Sequence, residues 1–317
     1  MKIPTINQLF DSGVHFGHQV KRWHPTMEKF IYTSKNGIHI INLEKTAEKL
    51  EESAKYLHEV AKKGGKIVFV GTKKQSKDII ELEAKRCGAY YVTERWLGGT
   101  MTNLEIVKKS VKKLVDFKRG RETNQFDKYT KKERLLIDRE VDKLEKKVGG
   151  LVGMSSKPVA LFIIDPKREK TAIREAKNLG VKVVSLIDTN SDVREIDFPI
   201  PGNDDAIKSV AIIVKTIADA IEEGYNEYAK VLVSEEKAAT EKKTEKTAEK
   251  PVEKVAEKHE VKLAEKTTEK HEVKVEKKPE VKPVEKHEVK KPVEKVAEKK
   301  VIKKVAAKPS SKKKGKK

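Results

Sequence analysis

The chain holds a single cysteine, Cys87. That excludes an intramolecular disulfide and a cysteine zinc cluster, and it fits a reducing compartment. Long apolar runs are also missing. No stretch approaches the ~20 consecutive apolar residues of a membrane span, and the opening MKIPTINQLF carries no signal-peptide apolar core. The expectation is a soluble, cytoplasmic protein with no membrane partner. The glycine-rich fingerprints of dinucleotide and P-loop sites are absent as well. Apolar residues make up only 37% of the chain, against roughly 45–50% in an ordinary globular domain. The deficit is local. Apolar runs recur up to Val233, whereas from Ser234 onward Glu, Lys, Ala, Val, Thr and Pro alternate, and no aromatic follows Tyr228.

What the chain does have is positive charge. It carries 71 Lys and Arg against 50 Asp and Glu, a net +21. Residues 235–317 contribute +11 of this through 28 Lys and 17 Glu, and the rest contributes +10, so both parts favour a polyanionic partner. The second part repeats itself: PVEKVAEK stands at 251–258 and 292–299, and EKHEVK begins at Glu257, Glu269 and Glu285. The irregular spacing marks a drifting low-complexity repeat, not a stacked solenoid. Lacking large apolar groups, it cannot offset an ordering entropy of ~1–2 kcal/mol per residue, so 233–317 is expected to be a disordered tail. His259, His271 and His287 read as repeat members, not as metal ligands.

Before the tail, strand and helix signals alternate. KFIYT and GIHII flank Asn36-Gly37, which predicts a hairpin with a tight type I′ turn. Leu43, Ala47, Leu50, Ala54, Leu57 and Val60 keep one apolar helical face, and Gly64-Gly65 ends it. KIVFV (Lys66 to Val70), AYYV (Ala89 to Val92), VALFIID (Val159 to Asp165), VKVVSLID (Val181 to Asp188) and FPI (Phe198 to Ile200) supply strands, mostly separated by helices. This rhythm predicts a mainly parallel sheet covered on both faces. Thr72 with Gln75 reads as a capping box for a helix through Arg86, Asp165-Pro166 as N-cap and first helical position, and Asn203 or Asp204 as the cap of a last helix through Ile221. Between Asn103 and Val148 no strand is expected. Leu104, Val107, Val111 and Leu114, then Ile137, Val141, Leu144 and Val148, match heptad seams, and Thr130 with Glu133 forms a further capping box. Two such helices joined by the polar stretch Arg121 to Tyr129 predict an antiparallel hairpin projecting from the sheet; two ordinary core helices are the alternative.

In a parallel sheet, sites form beyond the carboxyl ends of strands, here GTKKQ, DPKREK and DTNSD. An enzyme would use Thr72 with Lys73 or Lys74 for a phosphate and Asp165 with Asp188 for magnesium. Both aspartates, however, have a sufficient structural role as helix or turn caps. His15, His18, His24 and His39 raise a metal question, but their spacing specifies no third and fourth ligand. The tail end AAKPSSKKKGKK suggests a lysine-rich nucleic-acid compactor in composition only. For RNA, the informative feature is cations beside planar groups on irregular segments, because phosphates need charge and unstacked bases need a face. Lys21, Arg22, Trp23 and His24 form one such group, Arg95 and Trp96 a second, and Arg119 with Arg121 a cationic third. Lys73 and Lys74 at the first strand end complete the candidate RNA-contacting set. Each Trp is equally consistent with a core position.

Five passages resemble the signatures of the bacterial small-subunit ribosomal protein two family, in the expected order. They are VHFGHQVKRWHPTM (Val14 to Met27), NGIHIINLEKT (Asn36 to Thr46), GGKIVFVGTKKQ (Gly64 to Gln75), RWLGGTMTN (Arg95 to Asn103) and DFPIPGNDDAI (Asp197 to Ile207). The resemblance covers about residues 1 to 230 and stops at the compositional boundary. Thr100-Met101, where Met-Leu is commoner, and His24, where Asn is frequent, depart from the pattern without removing a charge. The resemblance implies a flavodoxin-like three-layer α/β sandwich formed by 1–101 and 151–232, with an inserted coiled-coil hairpin at 102–150. It implies a structural protein of the small ribosomal subunit, bound to rRNA between head and body, with no catalytic residues and no cofactor. Its implied partners are small-subunit rRNA and neighbouring small-subunit proteins, the first small-subunit ribosomal protein being a candidate among them. A homo-oligomer is not expected.

Overall fold

The computed structural model describes residues 3–248. Most of the expected tail, residues 249–317, lies outside the described residues.

The chain opens with helix α1 (Ile6–Asp11), started by a Thr5/Gln8 capping box. Strands β1 (Phe16–Gln19), β2 (Ile31–Lys35) and β3 (Ile38–Ile41) form a small antiparallel sheet in the order β1-β3-β2. Asn36 (φ 53°) and Gly37 (φ 76°) both take the left-handed conformation that the expected turn requires. Helix α2 (Leu43–Lys62) follows, capped by Asn42, whose Oδ1 accepts from Glu44 N–H at 2.9 Å.

Next come β4 (Ile67–Val70), α3 (Lys77–Cys87), β5 (Tyr90–Val92), α4 (Leu104–Glu122), α5 (Lys131–Val148), β6 (Ala160–Ile164), α6 (Lys170–Leu179), β7 (Lys182–Ile187), β8 (Phe198–Pro201) and α7 (Ile207–Ala248). The second sheet is fully parallel, in the order β5-β4-β6-β7-β8. Numbered along the chain this is 2-1-3-4-5, the order of flavodoxin-type doubly wound sheets. Alternation along each strand builds two cores. Ile67, Phe69, Phe162, Ile164, Val184 and Leu186 face α2, α3 and α7; Val68, Val70, Leu161, Ile163, Val183 and Ile187 face α6 and the α4–α5 pair. Phe69 and Phe162 meet edge to face at 5.2 Å, both fully buried. Truncating either to Ala removes ~3–5 kcal/mol by lost transfer and cavity formation.

Leu104, Val107, Val111 and Leu114 of α4, with Ile137, Val141, Leu144 and Val148 of α5, lie in or against the second core. Lys113–Glu140 (3.2 Å) and Lys118–Glu145 (2.6 Å) pair across the two helices. At the far end, Phe126 packs edge-on against Phe117 and at a tilt against Tyr129, over Gly120. The Thr130/Glu133 capping box starts α5 as expected.

Three boundaries differ from the sequence reading. Helix α3 starts at Lys77 without a side-chain cap, because the Thr72 hydroxyl donates to Glu169 instead. Asp165 is not an N-cap: it sits at φ 61° and α6 begins five residues later. Helix α7 continues past Ile221 to Ala248. Tyr225 packs on the first core and donates to the Gly65 carbonyl at 2.9 Å, while Glu227 pairs with Lys62 at 3.2 Å, so tertiary contacts extend the helix beyond its purely apolar stretch. Asn203 does cap its approach, accepting from Asp205 and Ala206 N–H.

Candidate nucleic-acid interface

The carboxyl ends of β4, β6, β7 and β8 converge on one side-chain cluster. Lys73 Nζ lies 3.1 Å from Asp165, 2.9 Å from Asp204 and 2.8 Å from Asp205. Burial opposes its charge, but these carboxylates outweigh that and hold the ammonium above the usual lysine range. Burial and the neighbouring Asp188 push Asp204 up to about 7, against the pull of Lys73. His18 joins from β1, with Nδ1 3.0 Å from Asp188 and Nε2 3.5 Å from Asp205, and its hydrogen bond to Asp188 raises its pKa. His18, Asp188 and Asp204 offer ligand atoms within 4.8 Å of one another, a nitrogen and oxygen donor set that can hold a divalent cation. His15, His24 and His39 stand outside that set. Thr72 is buried and committed to Glu169, and Lys73 is turned inward, so neither is presented as a phosphate cradle. Lys74 is exposed.

Beside this cluster the surface becomes cationic. The segment Lys21 to His24 is pinned to the β7–β8 connection: His24 N–H donates to the Thr189 carbonyl at 2.7 Å, and the Thr26 hydroxyl accepts from Val193 N–H at 3.3 Å. Lys21 and Arg22 are exposed, and Trp23 is 37% exposed with its ring 5.5 Å from that of His39. Arg22, Trp23 and His24 form one wall of a cleft of about 470 Å³, and Lys167, Lys170 and Arg174 form the other. Many surface cations are paired elsewhere, among them Lys49, Lys55, Lys77 and Arg86. Among the described residues, the cleft's four Lys and Arg residues form no ion pair.

The Arg95-Trp96 pair divides. Trp96 is buried and its indole N–H donates to Glu175 Oε1 at 3.1 Å. The same carboxylate accepts from the N–H groups of Gly99 (2.7 Å), Met101 (3.0 Å) and Thr102 (3.2 Å). Burial works to raise the Glu175 pKa, but these donors outweigh it and hold the carboxyl below its ordinary value. Trp96 therefore anchors the RWLGGTMTN loop and offers no open face. Arg95 remains exposed on that loop. It lines a cleft of about 470 Å³ with Arg168 and Thr171, and another of about 430 Å³ with Lys143, Lys146 and Lys147 of α5. These two clefts share residues Glu94 to Trp96, and the stretch Lys167 to Thr171 borders both the first and the Trp23 cleft. A cationic face thus runs from Arg22 to Lys147. Arg119 and Arg121, both exposed near the end of α4, line none of these clefts, and Arg121 lies 3.5 Å from Asp138.

Sequence reasoning did not assign Lys143, Lys146, Lys147, Lys167, Arg168, Lys170 and Arg174 to this face. The signal for three of them was present in DPKREK, directly after β6 at a strand end where sites form. The α5 lysines carried no signal beyond their spacing.

Among the described residues, no helix is long and apolar enough to cross a membrane. A family model described as Ribosomal protein S2 matches residues 9–224, more than half of the chain, including both sheets, the Trp23 and Arg95 loops and the α4–α5 pair. The chain belongs to the ribosomal protein S2 family, structural proteins of the small ribosomal subunit.

Proposed function

We propose that this protein is a non-catalytic constituent of the cytoplasmic small ribosomal subunit that binds small-subunit rRNA between head and body. The observation that carries the reading is the run of cations, without an ion pair among the described residues, from Arg22 through Lys167, Lys170, Arg174 and Arg95 to Lys147. Each phosphate neutralised by such a side chain releases counterions, giving tight and salt-dependent binding without base recognition. Lys73 has a different role, as the internal cation that joins the ends of β4, β6 and β8.

The α4–α5 pair acts as the inserted antiparallel coiled-coil hairpin, reaching a neighbouring RNA helix or protein with Arg119 and Arg121 near its end. The first small-subunit ribosomal protein is a candidate neighbour. The protein works as one component of the particle, not as a homo-oligomer. A tagged full-length chain should co-sediment with small subunits in a sucrose gradient, and should leave that peak progressively as salt rises. Nucleotide or sugar-phosphate binding at micromolar concentration in magnesium would instead favour an enzyme.

A further inference from the structure

The cleft between Trp23 and α6 has features that simple phosphate binding leaves unused. Its volume, about 470 Å³, lies in the range of pockets that enclose a small ligand. Trp23 lines it with an indole N–H that meets no acceptor among the described residues, and its ring is covered by His39 only at a tilt of 47°. Asn190 also lines it; its Oδ1 accepts from the Ser191 hydroxyl at 3.1 Å, leaving the amide N–H groups to donate elsewhere. Arg22, Lys167, Lys170 and Arg174 surround these groups with positive charge that forms no ion pair among the described residues. Of the two carboxylates at the rim, Asp192 is held by Arg194 at 2.7 Å, so it does little to offset that charge.

A flat aromatic face, an unpaired edge donor and converging cations suit one chemical object, an unstacked base with its flanking phosphates. A duplex cannot use the aromatic face, because its bases are already stacked. We infer that this cleft receives one splayed-out nucleotide of a single-stranded RNA segment, with the base on Trp23, its edge at Asn190 and its phosphates on Lys170 and Arg174. The inference rests on the RNA-binding reading and adds a place where that RNA is unpaired.

The test uses the purified full-length chain, a short single-stranded RNA, a blunt duplex of equal length and free AMP as probes. Trp23→Ala should weaken single-strand binding by about 5- to 150-fold, the effect of losing one base stack, and should leave duplex binding unchanged. Trp23→Phe, which keeps a face, should recover most of the loss and guards against a folding defect in the alanine variant. Single-strand RNA should also quench wild-type tryptophan fluorescence more than it quenches that of Trp23→Phe, and AMP alone should bind far more weakly than the strand. Equal single-strand affinity for wild type and Trp23→Ala would overturn the inference, as would an equal loss for duplex and single strand. Either result would leave co-sedimentation with the small subunit standing, so the two readings fail separately.

Discussion

The Trp96 indole N–H donates to Glu175 across 79 residues of sequence, and the same carboxylate gathers the amides of Gly99, Met101 and Thr102. One side chain of α6 thereby shapes the loop that carries Arg95. Glu175→Ala would strand several buried donors, each costing about 1–3 kcal/mol if left unmade. Allowing for partial rehydration, the account expects a loss of about 2–4 kcal/mol in urea unfolding. Glu175→Gln should lose less, because one of its two terminal atoms still accepts.

The same carboxylate gives a pH signature. Its folded pKa lies below the ordinary glutamate value, so its contribution is present above about pH 4.3 and is lost as pH falls through the lower folded value. Wild type should lose stability below pH 4.3 more steeply than Glu175→Ala. Parallel unfolding curves for the two proteins across this window would contradict the assignment.

Lys73 is the only Lys or Arg that pairs with Asp165, Asp204 and Asp205 among the described residues. Lys73→Ala leaves these carboxylates facing one another in a largely covered site, and breaking such a pair costs about 3–5 kcal/mol. The variant should melt well below wild type, while Lys74→Ala, at an exposed neighbouring position, should melt within a degree or two of it.

Gly224 marks where α7 crosses α2 closely. A Cβ there would stand 2.6 Å from the His58 carbonyl oxygen and 2.7 Å from the Ala61 Cβ. Gly224→Ala gains roughly 0.5–1 kcal/mol of helix propensity, but the backbone must move to admit it, at about 1–3 kcal/mol. A net loss of stability is expected, measurable as a lower urea midpoint. A net gain would show that the crossing has slack.

Much of the fold was legible because its signals are local. The apolar runs of β4, β6 and β7, the Asn36-Gly37 turn, the apolar faces of α4 and α5 and the Thr130/Glu133 box each depend on residues a few positions apart. The failures share a cause. Thr72 and Asp165 are adequate caps in isolation, yet Glu169 takes the first and Lys73 the second, partners 97 and 92 residues away. The two tryptophans look alike in sequence, each following an arginine, and only Glu175 separates a buried anchor from an open ring. Strand β1 was missed because FGHQ has neither alternation nor an apolar run; its pairing to β3 comes from the tertiary fold. The extent of α7 depends on Tyr225 reaching Gly65, which no periodicity reveals.

The central claim is that the cationic face from Arg22 to Lys147 holds this protein on small-subunit RNA. Its most direct test reverses charge at Arg22, Arg95, Lys170 and Arg174 together in the full-length tagged chain and follows the protein through a sucrose gradient of cell lysate. The account predicts wild type in the small-subunit peak and the folded variant near the top of the gradient. Each lost phosphate contact should reduce the slope of log affinity for RNA against log salt by about one. Wild type remaining at the top while small subunits form normally, or the variant sedimenting with them as wild type does, would contradict it.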